Sequence, residues 1–252
     1  MLSNEQLKIY VKLVLTILRW KWQDGVTHRS YRIVNVLGDS HTRYFRFLQN
    51  HYPLKSTYLR VFNVTGATAS GLSNPHSKTR AAMAFGVLLR YLNKRQSLLI
   101  QLGEVDCGFA IWIRAAKKGT RAEDELKRAF DNYMASVRMA MDLGFKKVFI
   151  ATVSPPTIED WNVWRGPIGH LRRQVAADIM GRSQLTRLFN QLLREGAETV
   201  GYTFLDVETL FTDPETSLVR PELFSDRPGD LHLNNHEAAK IFRKALVAAN
   251  FV

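Results

Sequence analysis

The chain has 252 residues, 46% of them hydrophobic, with 35 Lys and Arg against 23 Asp and Glu, a formal net charge of +12. This length suits one α/β domain or two small ones, and the hydrophobic content is ample for a core. The single cysteine, Cys107, excludes an intrachain disulfide, and no stretch approaches the ~18 uninterrupted apolar residues of a membrane span. The first residues lack the pattern of a signal peptide, so we expect a cytoplasmic protein.

Residues 4–22 are predicted to form a helix with a wide apolar face, since apolar residues from Leu7 to Leu18 recur at helical spacing. Packing on the domain's own surface is the favoured interpretation, and a dimer contact or a peripheral membrane contact is the alternative. No linker composition divides the chain further. We therefore expect residues 1–30 to be an N-terminal helix and loop, and residues 31–252 to be one domain.

The stretch from residue 33 to residue 41 holds the pattern that bears most directly on function. An apolar run leads into Gly38, Asp39 and Ser40, and a helical pattern begins directly afterwards. This is the pattern of a buried strand, a tight turn and the start of a helix. Ser40 then lies at the carboxyl end of a strand beside the free N–H groups of a helix, where ligands bind in open α/β sheets. The alternative is that Asp39 and Ser40 only cap the helix.

The rest of the chain alternates between strand and helix patterns. Further strands are predicted at 57–64, 97–102, 147–152 and 202–206, and helices at 40–51, 77–91, 121–143, 184–196 and 234–249. This alternation predicts a parallel sheet covered by helices on both faces. Residues 154–170 form a long irregular segment with aromatic residues, which is typical of a lid or a substrate wall, although a loop pinned by its tryptophans is the alternative.

Four short motifs, in order, resemble those of the SGNH/GDSL hydrolases. Residues 38–40 match the first block, in which the serine is the nucleophile, and residues 64–68 look like the second, whose glycine gives an oxyanion N–H. Residues 103–106, Gly-Glu-Val-Asp, stand where the third block, Gly-x-Asn-Asp, should be. Asp230 and His232 resemble the last block. The resemblance spans roughly residues 32–250 and implies a three-layer α/β/α sandwich of a flavodoxin-like kind, with a central parallel sheet.

The resemblance also implies catalytic roles. Ser40 would attack an acyl carbonyl, His232 would act as general base, and Asp230 would orient His232. The N–H groups of Ser40 and Gly66 would form the oxyanion hole.

This chain departs from the family pattern at two places. Val105 stands where the family has its oxyanion Asn, and a single residue separates Asp230 from His232. Gly229 occupies the strict position of the acid, and Asp226 is the substitute if the shortened spacing keeps Asp230 from orienting His232. Either donors from the 66–74 loop rebuild the hole, or the enzyme is slow, or the fold has become a binder.

Further polar and aromatic residues are candidates for substrate binding or for shaping the cleft. They are Asp39, His41, Asn74, Glu104, Asp106, Trp161, Trp164 and Arg165, with Thr68 as a further candidate donor to the oxyanion. The two acids of the third block either shape the cleft or hold a salt bridge beneath it. Cys107 is interpreted as a small buried hydrophobe rather than a nucleophile.

The resulting prediction is a serine esterase acting on an O-acylated substrate through a Ser40 acyl-enzyme. A saccharide is suggested by the two tryptophans of residues 154–170 and by the substrates usual for the family. The alternatives are an acyltransferase, an inactive binder of a glycan or anionic ligand, and a protein whose basic charge associates it with membrane or nucleic acid. We expect no cofactor, no metal and no specific nucleic acid, because no metal-ligand spacing or nucleic-acid-binding motif is present. A homo-oligomer is left open.

Overall fold

The computed structural model describes residues 4–74, 76–158, 173–227 and 229–249. The strands are β1 (Arg32–Gly38), β2 (Thr57–Asn63), β3 (Ser97–Gln101), β4 (Val148–Ala151) and β5 (Thr203–Leu205). The helices are α1 (Asn4–Val26), α2 (Arg43–His51), α3 (Ala81–Tyr91), α4 (Ile111–Lys118), α5 (Ala122–Asp142), α6 (Ile179–Val200), α7 (Glu208–Phe211) and α8 (Asn235–Ala248).

The five strands form one parallel sheet in the order β2-β1-β3-β4-β5. The chain adds β2 on one side of β1 and then returns to add β3 on the other side. In flavodoxin-like sheets this switch point opens a crevice at the carboxyl ends of the strands, where ligands bind. The predicted parallel α/β architecture is therefore confirmed, and Ser40 follows the strand at the switch point.

Hydrophobic side chains cover both faces of the sheet. Leu98 and Ile100 belong to a cluster with residues of α1, α3, α5 and α6. Leu99, between them, belongs to a second cluster with residues of α2 and α8. Alternate side chains of a strand point to opposite faces, so β3 is buried from both sides. This gives the predicted three layers.

Helix α1 packs on the larger cluster through Leu13 and Ile17, which are buried. Its Tyr10 hydroxyl lies 3.0 Å from the hydroxyl of Tyr91 on α3. The favoured interpretation, packing on the domain's own surface, is confirmed for this face of the helix. The division of the chain at residue 30 stays a prediction. No helix in the described parts of the chain has the length and hydropathy to cross a membrane.

Several helix boundaries differ from the sequence-based expectations, for local reasons. Helix α3 begins at Ala81 rather than at residue 77, because Arg80 has φ of 56° and cannot continue a right-handed helix. Helix α6 begins early because the Asp178 carboxylate caps it, accepting the Gly181 N–H at 2.7 Å. Helix α4 and the π-helical turn before it were not predicted, since that turn contains Gly108 and has no side-chain cap.

Candidate active site

The turn after β1 places Ser40 at the mouth of the sheet crevice. A Cβ at Gly38 would collide with the Gln101 carbonyl and with Thr42, so only glycine fits where the strand ends. The Asp39 carboxylate then accepts the His41 N–H at 2.8 Å and caps a 3₁₀ turn, Ser40–Thr42, which continues into α2. Ser40 remains partly exposed. Its hydroxyl can therefore meet a ligand from solvent.

The candidate base lies directly against this serine, and the candidate acid lies against the base. His232 Nε2 is 2.8 Å from Ser40 Oγ, and His232 Nδ1 is 2.5 Å from Asp230 Oδ1. The same carboxylate oxygen accepts the His232 backbone N–H at 3.1 Å. This is an Asx turn, in which an aspartate bonds the N–H two residues on. The one-residue spacing therefore brings the carboxylate to the imidazole.

A cation that the sequence argument missed completes the chain of contacts. Arg43 donates to Asp230 Oδ2 at 2.8 Å, and the Ser225 hydroxyl lies 3.3 Å from the same oxygen. A positive side chain in the first turn of a helix is disfavoured by the helix dipole, so Arg43 itself was a signal of a carboxylate partner. The substitute acid, Asp226, contacts the Asn234 amide at 3.4 Å, whereas Asp230 lies against the histidine.

The surroundings set the charges of this acid and base. Burial would raise the pKa of Asp230, but hydrogen bonds from Arg43 and His232 outweigh it and hold that pKa well below its usual range. Burial and the adjacent His41 lower the pKa of His232 to about 4, against the opposite pull of Asp230. At neutral pH the site therefore holds an aspartate anion and a neutral imidazole, the state that a general base requires.

A second Asp-x-His unit lies beside the first. Asp39 Oδ1 is 3.2 Å from His41 Nδ1, and His41 Nε2 is 3.5 Å from Glu104 Oε2. The rings of His41 and His232 are 4.5 Å apart between centroids, tilted by 36°. Asp39, His41 and Glu104 are all buried. They lie beneath the site, next to the candidate base, and their role as substrate contacts stays a prediction.

The loop after β2 approaches the same place. Val64 donates its N–H to the Gly38 carbonyl at 2.9 Å, which extends the pairing of β2 with β1 beyond the strand. The Ala67 N–H returns to the Val64 carbonyl at 3.0 Å, closing a turn in which Gly66 has φ of +72°. Glycine adopts this backbone conformation without strain. The loop that carries Gly66 is thereby tied to the strand that carries Ser40.

Asp106 fixes the next part of this loop. Its carboxylate accepts the Ala69 N–H at 2.6 Å, the Ser70 N–H at 3.2 Å and the Ser70 hydroxyl at 2.7 Å. The side chain is fully buried, and burial raises its pKa while these donors and Arg114 oppose the shift. Asp106 holds this loop, because a buried carboxylate needs its donors inside the protein. Its role as a substrate contact stays a prediction.

Three further residues concern the oxyanion hole: Val105, Thr68 and Asn74. Val105 is buried and aliphatic, so its side chain supplies no hydrogen-bond donor. Thr68 Oγ1 accepts the Gly71 N–H at 2.9 Å, and Asn74 Oδ1 accepts the His76 N–H at 2.9 Å. Both side chains therefore hold local turns. A role for either in an oxyanion hole stays a prediction. The other three candidates, Trp161, Trp164 and Arg165, lie outside the described residues.

A buried hydrogen-bond network lies at the carboxyl ends of the central strands. The Tyr44 hydroxyl donates to Gln101 Oε1 at 2.5 Å, and Gln101 Nε2 donates to the Thr152 carbonyl at 2.7 Å, which links α2 to the carboxyl ends of β3 and β4. A glutamine ending an apolar strand was the signal for this missed network.

Cys107 is buried and its thiol pKa is raised by burial, as its interpretation as a small hydrophobe requires. Among the described residues, no three His, Cys, Asp or Glu side chains form a group that could hold a metal ion.

Comparison with known proteins gives structural likenesses only. No protein-family model and no curated sequence matches the chain. A Streptococcus pneumonia structure proposed to be a platelet activating factor aligns at 17% identity over 98% of this chain and 94% of that one, with a TM-score of 0.58. A Bacteroides fragilis structure proposed to be an acylhydrolase aligns at 16% identity over 86% and 88%, with a TM-score of 0.53. A GDSL-like lipase from Bacteroides thetaiotaomicron aligns at 14% identity over 86% and 89%, with a TM-score of 0.52.

These likenesses identify the class of fold. The chain has the parallel α/β fold of the GDSL-type, or SGNH, hydrolases, and the resemblance drawn from its motifs is confirmed at this level. At such low sequence identity, structural likeness shows the fold alone, because one fold can carry many different functions.

Proposed function

We propose that this protein is an SGNH-type serine ester hydrolase that forms an acyl-enzyme on Ser40. The observation that carries the proposal is the continuous chain of contacts from Ser40 Oγ through His232 to Asp230 and Arg43, with distances of 2.8, 2.5 and 2.8 Å. A partly exposed serine bonded to a neutral histidine, which is oriented by an ionised acid, is the arrangement that activates a hydroxyl nucleophile.

In the acylation step, Ser40 Oγ attacks the carbonyl carbon of an ester while His232 Nε2 takes the hydroxyl proton. Asp230 stabilises the imidazolium that forms and keeps the ring in place. The tetrahedral intermediate collapses, the bond to the alcohol oxygen breaks, and His232 returns the proton to that leaving oxygen. Ser40 is left as an acyl ester.

In the deacylation step, a water takes the position of the departed alcohol and His232 removes its proton as the oxygen attacks the acyl carbon. The bond to Ser40 Oγ breaks and the serine regains the proton from His232. If a second hydroxyl compound takes the place of water, the same steps transfer the acyl group. Comparing free acid with new ester among the products separates hydrolysis from this alternative.

The oxyanion of both intermediates would be held by the N–H groups of Ser40 and Gly66. The first N–H groups of a helical turn lack acceptors within it, and the Gly66 turn is bonded to the end of β1. Because Val105 provides no third donor, we expect turnover slower by roughly 10²–10³ than a three-donor hole would allow, about 2.7–4 kcal/mol. The acyl group and its alcohol stay open, and a saccharide stays a prediction.

The test is labelling with a fluorophosphonate, read by intact mass. We expect one adduct on the wild type, none on Ser40→Ala, and much slower labelling of His232→Ala, because the hydroxyl then lacks its base. Ser73→Ala is the matched control, an exposed serine on the 66–74 loop, and should label like the wild type. Hydrolysis of short-chain aryl esters by the same set should follow the labelling.

The rival is an inactive binder of the same fold, which the absence of a donor at Val105 favours. Folded wild type that takes no adduct and hydrolyses no ester would overturn the hydrolase proposal in favour of that rival. Ligand binding would then survive Ser40→Ala.

A further inference from the structure

The outward face of α1 is an apolar stripe of solvent-exposed side chains. Its six members recur at spacings of three and four residues and are 48–63% exposed. They are Leu7, Val11, Leu15, Leu18, Trp22 and Val26. Residues spaced in this way lie on one side of a helix. Because Leu13 and Ile17 already bury the opposite side, the core needs nothing from this stripe.

Positive charges border the stripe. Lys12, Arg19 and Lys21 are all exposed on α1. Among the α1 side chains that the structure describes, Asp24 is the only carboxylate, and it is paired with the buried Arg60 of β2. In the part of α1 whose side chains are described, exposed apolar surface therefore lies beside cations that no carboxylate of the helix is left to neutralise. A groove of about 590 Å³ between these groups is lined by Leu7, Val11, Lys12, Leu15, Thr16 and Arg19.

We propose that this stripe is a docking surface for an anionic lipid membrane. A helix with one polar and one apolar side lies in the plane of the membrane interface, with its apolar side among the acyl chains and its cations at the headgroups. Trp22 near the carboxyl end suits the boundary, because indole has an apolar body and a polar N–H. The helix lies on the membrane; no helix in the described residues can span one.

The positive charge of the chain favours a membrane over a second copy of this chain as the partner that covers the stripe. The chain carries a net charge of +12, so two copies repel each other. Pairing α1 with α1 would also bring Lys12, Arg19 and Lys21 against the same residues of the partner. An anionic bilayer offers both the apolar interior and the opposite charge. The proposal uses no residue of the candidate active site and stands or falls independently of the hydrolase assignment.

The test is co-sedimentation of the full chain with phosphatidylcholine vesicles, with and without phosphatidylserine. We expect binding only when phosphatidylserine is present, and a loss of ~10-fold or more for the charge variant Lys12→Gln/Arg19→Gln/Lys21→Gln. The apolar variant Val11→Ser/Leu15→Ser/Leu18→Ser should also lose binding. These six positions are exposed, so the variants should keep the wild-type unfolding midpoint.

Matched controls carry equal changes elsewhere. Lys240→Gln/Arg243→Gln/Lys244→Gln on α8 removes the same charge, and Met139→Ser/Leu210→Ser/Val247→Ser removes three exposed apolar side chains. Both should bind like the wild type. An equal loss in the α8 charge control would mean diffuse charge attraction and would overturn the proposal. So would a wild type that is dimeric by ultracentrifugation and becomes monomeric when the stripe is changed, since the stripe would then be a self-interface.

Discussion

At the scale of single residues, the chain uses one device twice. Asp230 with His232, and Asp39 with His41, are each separated by one residue, and in each pair one carboxylate oxygen meets both the backbone N–H and the ring Nδ1 of the histidine. The Asx turn makes this contact local, so it survives the shortened spacing that distinguishes this chain from the family pattern. The two pairs differ in what the other ring nitrogen of the histidine contacts. His232 reaches Ser40, whereas His41 faces the buried Glu104.

Arg43→Gln should lower kcat/KM roughly 10- to 100-fold, because losing a hydrogen bond to a charged group costs about 1.5–3 kcal/mol. Arg43 also holds Asp230 ionised. The measurement is steady-state hydrolysis of a neutral ester by the wild type and the variant. Arg46→Gln, on the same helix and bonded to the Val61 carbonyl, is the control and should change little. Equal losses in both variants would assign the effect to the helix rather than to the acid.

The pH profile of kcat/KM should have its acid limb near the depressed pKa of His232, about 4, rather than near the usual value of 6.5. The base is active only when neutral, so activity is lost as pH falls through this pKa and is constant through neutrality. In Arg43→Gln the limb should move to higher pH, because the pKa of Asp230 and the pKa of His232 both rise when the cation is removed. A limb that stays in place would contradict the role given to Arg43.

At the scale of elements, the short helical turn after β3 supports the loop after β2. Residues 103–106 resemble a family block that supplies an oxyanion donor, but here Val105 is buried and Asp106 turns towards the loop backbone. Gly103, with φ of +130°, allows the strand to bend into that turn, and a Cβ there would meet Phe189 and Val153 at 2.8 Å. In this chain the acid at the end of the block therefore holds the backbone of the neighbouring loop.

Asp106→Asn should destabilise the protein by about 1–3 kcal/mol, because an amide N–H₂ would face donor groups that a carboxylate now satisfies. It should also lower kcat, since the loop carries Gly66. Urea unfolding and single-turnover acylation measure the two effects. Asp131→Asn, exposed on α5, is the matched control. If Asp106→Asn unfolds like the control, the carboxylate does not hold the loop.

At the scale of the whole molecule, α1 belongs to the core on one side and is open on the other. Arg60, buried in β2, bonds Asp24 and lies over the ring of Trp20 at 5.1 Å, while Gln96 Nε2 donates to Asp24 at 2.8 Å. These contacts tie the end of α1 to the amino ends of the strands, away from the candidate site. A helix held in this way is expected to unfold together with the sheet.

Ile17→Ala should lower the free energy of unfolding by about 2–5 kcal/mol, because it opens a cavity in the larger cluster. Leu15→Ala, on the exposed stripe, should change it by less than about 0.5 kcal/mol. Urea titration followed by circular dichroism compares the two. If deleting residues 1–30 left the unfolding midpoint unchanged, residues 31–252 would fold without the helix and α1 would be an appendage.

The sequence by itself determined the order of the five strands and the turn that presents Ser40, because apolar runs and a glycine at a strand end are local patterns. The pairing of Ser40 with His232, 192 positions apart, was expected only because the motifs resemble those of a known family. Tertiary structure alone decided the partners of charged side chains. Arg43 reaches Asp230 across 187 positions, and Asp106 reaches Ala69 across 37. Such pairings have no periodicity to reveal them, because they depend on which strand ends lie side by side.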